Sequence, residues 1–154
     1  MASDSPVGAY MKVEDLIRSR REVYSITEDV TVHDAARYLR EKQVRAVGVL
    51  KSGGNLVGVV SQSDISDKVA AENKCPAWMR VAEIMTSHPI TVPPSAPLDE
   101  CVRLMEQHGI YHLPVVDPTE AYRGMISAQD LLRVIASDEK ARADMLESFL
   151  FSGR

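Results

Sequence analysis

Apolar positions along this chain keep two rhythms, and they keep them twice. Val32, Ala35, Ala36 and Leu39 recur at helical spacing behind TVHD at 31–34, a capping signal. Leu98, Cys101, Val102 and Met105 form the same stripe behind Pro97, a residue suited to opening a helix. Gln43 and Gly109 close the two helices, glycine being a natural C-cap. A short extended stretch precedes each helix, at 23–26 and at 90–92. Two short apolar runs follow each one. Those at 46–50 and 113–116 are continuous, as in buried strands. KSGGN at 51–55 and DPTE at 117–120 turn the chain back into strands at 56–60 and 122–126. A second helix then starts within GVVSQSDI at 58–65 and GMISAQDL at 124–131. The predicted unit is β-α-β-β-α, used twice.

The second copy is displaced by 66 positions, from Gly58 to Gly124, Ser61 to Ser127 and Asp64 to Asp130. Few of the other pairs are identical, but nearly all apolar positions stay apolar, the mark of an internal repeat. The lead-ins also match: VEDLI at 13–17 resembles VAEIM at 81–85. The expected division is a first repeat at 11–72, a second at 79–137 and a helical tail at 138–154, with a linker near 71–78. Residues 1–10 are expected to be loose. The tail carries Met145, Leu146, Phe149 and Leu150 on one helical face and is expected to dock.

Composition narrows the classes. Hydrophobic content of 45% supports a core, and 5% aromatic content makes that core aliphatic. A net charge of −4 disfavours a general nucleic-acid binder. No apolar run approaches the roughly 18 residues that would span a bilayer. The N-terminus lacks the charged and apolar regions of a signal peptide, so a cytoplasmic protein is expected. Cys75 and Cys101 have no CxxC partner, and Cys101 on an apolar stripe reads as a buried free thiol. His33, His88, His108 and His112 show no metal-site spacing. No nucleophile elbow or Walker loop is present, so an enzyme is not expected.

The repeated phrase carries the chemistry. Ser61 and Asp64, like Ser127 and Asp130, fit a helix cap contributing about 0.5–2 kcal/mol. The same geometry fits a ligand. Free amides at a helix start and a serine hydroxyl suit phosphate, and a carboxylate one turn later can accept both hydrogens of a vicinal diol. Glycine near the strand end would let a flat base approach the backbone. Both readings can hold together.

The doubled unit, LPVV at 113–116 and the two G-h-h-S-x-x-D phrases resemble a pair of cystathionine β-synthase (CBS) domains over about residues 13–136. The resemblance implies an α/β (α+β) fold in which two pseudo-symmetric β-α-β-β-α repeats pack sheet to sheet. It implies two clefts that bind AMP, ADP, ATP, S-adenosylmethionine or NAD(H), a homodimer, and an output that goes to a regulated protein partner or to the oligomer itself. One cleft would join Ser61, Ser63 and Asp64 to Thr86, Ile90, Tyr111 and His112. The other would join Ser127 and Asp130 to Tyr24, Val44, Arg45 and Ala46. Asp64 and Asp130 would hold ribose hydroxyls, with Asp64 expected to matter more, because Gln129 replaces the serine that Ser63 supplies. The pattern departs again at Gly48, where repeat two has Pro114, and at Ala46, where the family often has a polar residue. The alternative is a structural dimerisation module whose clefts are empty.

Overall fold

The computed structural model describes residues 11–137 and, beyond them, residues 143, 144 and 147. The expectations for residues 1–10 and for the face of Met145, Leu146, Phe149 and Leu150 lie outside the described residues.

The chain enters through α1 (Val13–Arg18), where the Asp15 carboxylate accepts the Lys12 N–H at 2.9 Å. β1 (Ser25–Thr27) leads to α2 (Val32–Lys42). Thr31 Oγ accepts the Asp34 N–H at 3.1 Å, and Val32, Ala35 and Leu39 turn inward as their spacing requires. β2 (Ala46–Leu50) and β3 (Leu56–Ser61) form the first hairpin. α3 (Gln62–Ile65) passes directly into a wider π turn at Ser66–Ala70. After 3₁₀ turns at Pro76–Trp78 and Val81–Glu83 come β4 (Thr86–Ser87) and α4 (Leu98–His108). β5 (His112–Val116), β6 (Tyr122–Ser127) and α5 (Ala128–Ala136) complete the second repeat.

The fold is the mixed α/β arrangement expected, with pseudo-symmetry visible in detail. Gln43 and Gly109 both end their helices in the left-handed conformation, at φ 57° and 62°. Both hairpins slip register at the same place, between Val49 and Leu50 and between Val115 and Val116. Both turns are tied as their residues suggest. Lys51 N–H donates to Asn55 O, and Asp117 Oδ1 accepts from the Thr119 and Ala121 amides.

Two expectations need correction. The stretch at 90–92 is not a strand; Val92 makes a single parallel bridge to Val115. Pro89, Pro93 and Pro94 surround it, and proline has no N–H to extend a ladder. The helix after the first phrase is not regular. Its π turn buries Val69 and lets Lys68 reach back to the Ile84 carbonyl at 2.8 Å.

The lead-ins are exchanged between the repeats. One core gathers Val32, Leu39, Val47, Val49 and Val60 with Val81 and Ile84 of the second lead-in. The other gathers Leu98, Cys101, Leu113, Val115 and Ile126 with Val13 of the first. Backbone bonds fix the exchange: Val13 N–H donates to Ala96 O, and Val81 N–H to Val30 O, each at 2.8 Å. The four-stranded sheet therefore runs β1-β2-β3-β4, with β4 contributed from beyond the linker, and β5-β6 form a separate pair. Cys101 is buried and free; burial, with Glu100 and Asp99 nearby, pushes its thiol up to about 11.

Candidate functional site

Each repeated phrase folds as a strand end followed by a capped helix start. In the first copy, Ser61 N–H donates to Asp64 Oδ2 at 2.9 Å, and Ser61 Oγ accepts the Asp64 N–H at 3.3 Å. In the second, Ser127 N–H donates to Asp130 Oδ2 at 2.8 Å, and Ser127 Oγ accepts the Asp130 N–H at 3.1 Å. The next amide is satisfied from across the hairpin: Gln62 N–H by Arg45 O at 2.9 Å, Ala128 N–H by Tyr111 O at 2.8 Å. These reciprocal bonds account for the recurrence of serine and aspartate on stability grounds.

The two carboxylates differ in what else they touch. Asp64 is 9% exposed. Its Oδ1 lies 3.0 Å from Lys68 Nζ, a partner from its own helical turn. Asp130 lies in the wall of an open cleft of about 890 Å³. Its partner there is Arg20, which follows α1 and reaches Asp130 Oδ2 at 2.7 Å while its other nitrogen donates to the Met125 carbonyl. Arg133 stands further off, 3.7 Å from Oδ1.

The cleft gathers Ser127, Asp130, Tyr24, Val44, Arg45 and Ala46, six residues that the resemblance groups together. Tyr111 and His112, which the resemblance places with Asp64, also line this cleft. Ser61, Ser63, Asp64, Thr86 and Ile90 are not in its walls. Ser63 and Thr86 are exposed, and Ile90 is half-buried beside the second core. Tyr24 is held edge-on to Tyr38 at 6.3 Å, with Lys42 Nζ over its ring at 5.3 Å. Burial holds His112 below the ordinary imidazole range; Asp130 opposes that shift and Arg45 adds to it. Among the described residues, no group of three or more His, Cys, Asp or Glu side chains could hold a metal ion.

Several cleft residues carry no local sequence signal. Arg20 meets Asp130 across 110 positions. Arg21, Arg123 and Arg133 also line the cleft, so with Arg20 and Arg45 its walls hold, among the described residues, five arginines against Glu22 and Asp130. Tyr122 occupies the position of Leu56 in repeat one, and its hydroxyl accepts the Gly48 N–H at 3.2 Å. A Cβ on Gly48 would stand 2.6 Å from the Tyr122 ring. The departure at Gly48 is thus the other half of Tyr122. Burial pushes the Tyr122 hydroxyl up to about 12.

The glycine of the first phrase has a different purpose from the one expected. A Cβ on Gly58 would meet Met85 Sδ at 2.6 Å and the Thr86 carbonyl at 2.8 Å. The space is taken by the exchanged lead-in, not left for a base. Gly124 has φ +140°, a conformation that side-chain-bearing residues rarely adopt.

The doubled unit, the exchanged lead-ins and a cleft built from both repeats define a CBS domain pair. The chain belongs to the CBS domain family, whose pattern matches residues 13–71 and 81–137. It is similar to a putative signal-transduction protein with CBS domains from Burkholderia ambifaria, at 32% identity and TM-score 0.77, over 83% of this chain and 96% of that one. It is also similar to the CBS domain pair of protein MJ0100, solved in complex with 5′-methylthioadenosine and S-adenosyl-L-methionine. That likeness has 25% identity and TM-score 0.74, over 82% of this chain and 97% of that one. A homoserine O-acetyltransferase from Methanohalobium evestigatum is 31% identical over 114 residues, 74% of this chain but 22% of the enzyme. The chain spans about a fifth of the length of such curated relatives. Among the described residues, no helix is long and apolar enough to cross a membrane.

Proposed function

We propose that the chain is a non-catalytic regulatory module that binds an adenosine-containing ligand in the cleft at Asp130. The observation that carries this reading is the meeting, in one open cleft, of the Asp130 carboxylate from repeat two with Tyr24, Val44, Arg45 and Ala46 from repeat one. Asp130 accepts the ribose diol. The apolar Val44 and the small Ala46 offer a surface for the base. Arg45 faces phosphate. The adenosine compounds held by the MJ0100 pair support this assignment. The counterpart site, Ser61, Ser63 and Asp64 with Thr86 and Ile90, is the weaker of the two in this reading, the reverse of the order expected from the sequence, because those residues do not line the open cleft while Tyr111 and His112 line it beside Asp130. AMP, ADP, ATP, NAD(H) and S-adenosylmethionine are the candidate ligands.

A thermal-shift panel of those five compounds tests the reading. A ligand that binds only the native state stabilises it by about 2.7 kcal/mol at 100 times its dissociation constant. Asp130→Ala should then weaken binding roughly 10- to 100-fold, the loss of charged hydrogen bonds of about 1.5–3 kcal/mol. Asp64→Ala should lower stability through its lost cap and change affinity less. A flat panel would leave a structural dimerisation module as the better reading. The output is proposed to pass through a homodimer made by α5, where Leu132 is 40% exposed. A monomer by light scattering at micromolar concentration would refute that step.

A further inference from the structure

The Arg20–Asp130 pair points beyond the identity of the site, on the reading that the cleft takes an adenosine ligand. Asp130 Oδ2 already accepts two hydrogen bonds, from Ser127 N–H at 2.8 Å and from Arg20 at 2.7 Å. A carboxylate oxygen offers about two lone pairs, so Oδ2 is full. Among the described residues, Oδ1 has only Arg133, at 3.7 Å. A vicinal diol that donates to both oxygens must displace Arg20. In repeat one the corresponding partner, Lys68, sits on the same helical turn as Asp64. In repeat two it arrives from the far lead-in, on a segment in which Arg20, Arg21, Glu22, Val23 and Tyr24 all line the cleft.

Once displaced, the Arg20 guanidinium is left in a cleft also lined by Arg21, Arg45, Arg123 and Arg133, of which Arg123 is paired with Asp117 at 3.3 Å. Among the described residues, Glu22 is then the remaining carboxylate in the walls. A half-desolvated cation in that company needs an anion. We infer that Arg20 is an exchangeable counter-ion that makes this cleft selective for ligands carrying a vicinal diol and an anionic group together. The diol takes Asp130, and the phosphate takes Arg20. A diol alone strands Arg20. A phosphate alone leaves the Arg20–Asp130 pair closed. A sulfonium ligand adds one more positive charge to the arginines. The exchange also withdraws Arg20 from the Met125 carbonyl, which loosens a tie between the first lead-in and β6.

Calorimetry with AMP, adenosine and 2′,3′-dideoxyadenosine, on wild type, Arg20→Gln and Arg20→Lys, tests this. Wild type should prefer AMP to adenosine by roughly 10- to 100-fold, the range of one charge-assisted contact. In Arg20→Gln that preference should shrink to about threefold or less, with AMP weaker and adenosine tighter because Asp130 has lost its competitor. Arg20→Lys should fall between, and dideoxyadenosine should gain nothing from the glutamine change. Arg20 is 32% exposed, and circular dichroism melts establish that each variant is folded. If the glutamine change weakens AMP and adenosine equally, or leaves their ratio unaltered, Arg20 is only a structural tie and the inference is wrong. If wild type binds neither AMP nor adenosine, this inference falls, and the adenosine reading of the cleft falls as well if ADP, ATP, NAD(H) and S-adenosylmethionine also fail to bind.

Discussion

Gly48 and Tyr122 form a pair that can be tested by exchanging what the other repeat uses. A methyl group on Gly48 would stand 2.6, 2.8 and 3.0 Å from Cζ, Cε1 and Cε2 of Tyr122, where ordinary contact is 3.4–4 Å. The ring is held between the sheets and its hydroxyl is tied to Gly48 N–H at 3.2 Å, so retreat also breaks that bond. Overpacking of this kind costs about 1–3 kcal/mol. Losing the bond leaves a buried donor without its partner, at a further cost of about 1–3 kcal/mol. Against this, alanine gains about 0.5–1 kcal/mol over glycine in a strand. Gly48→Ala alone should therefore destabilise by about 1–5 kcal/mol on these terms. Tyr122→Leu installs the residue that repeat one carries at Leu56. It should also destabilise, by removing the ring and leaving Gly48 N–H unpaired. In the double variant the methyl group meets no ring, so the combined loss should fall short of the sum by about 1–2 kcal/mol.

Urea denaturation followed by circular dichroism measures the cycle, with equal m-values required of all four proteins. Trp78 fluorescence is the poorer probe, since that side chain is 85% exposed. On melting, each kcal/mol should appear as about 2–4 °C. Additivity within about 0.5 kcal/mol would refute the pairing and leave Gly48 without an account.

The remaining predictions concern the exchanged lead-in and the same tyrosine. Gly58→Ala should destabilise by about 1–3 kcal/mol, and Met85→Ala should rescue it only in part, because the Thr86 carbonyl at 2.8 Å belongs to the β3–β4 ladder. Full rescue would show that the sulfur alone sets the limit. Tyr122 has a folded-state value pushed up to about 12 from an ordinary 10, so the folded form holds its proton longer than the unfolded form does. Its contribution is complete below pH 10 and is lost as pH rises from 10 towards 12. Denaturation across that interval should show a steeper decline for wild type than for Tyr122→Phe, and identical slopes would refute the burial argument.

What could be read from the sequence was what local pattern encodes. The apolar stripes of α2 and α4 and the Thr31 cap depend on residues within a turn or two of one another. So do the turns at 51–55 and 117–120 and both Ser-x-x-Asp boxes. Gathering Tyr24, Val44, Arg45 and Ala46 with Asp130 needed the family resemblance, because those contacts cross between repeats. The exchange of lead-ins was hidden for the same reason: Val13 and Val81 match in sequence whichever core they enter. Gly58 was misread because its neighbour, Met85, lies beyond the linker. Gly48 and Pro114 differ between the repeats, and so do Leu56 and Tyr122, which invites the question whether the two differences compensate.

That compensation shows how the two halves of a duplicated fold become unequal. Pro114 lacks an N–H, so the strand pairing at that register does not require one. The same position in repeat one holds Gly48, whose N–H must find a partner, and Tyr122 supplies it from across the sheets. A single large side chain from β6 is thereby fixed beside Gly124, Met125 and Asp130 in the wall of one cleft, while the equivalent Leu56 brings no hydroxyl to the other repeat. The counter-ions diverge in the same direction. Asp64 keeps a lysine from its own turn, whereas Asp130 depends on an arginine from the opposite end of the described chain. Capping needs only the serine and the carboxylate, which both repeats retain. The parts that differ lie around that shared cap, where a change can alter the wall of the cleft without undoing the helix start beneath it.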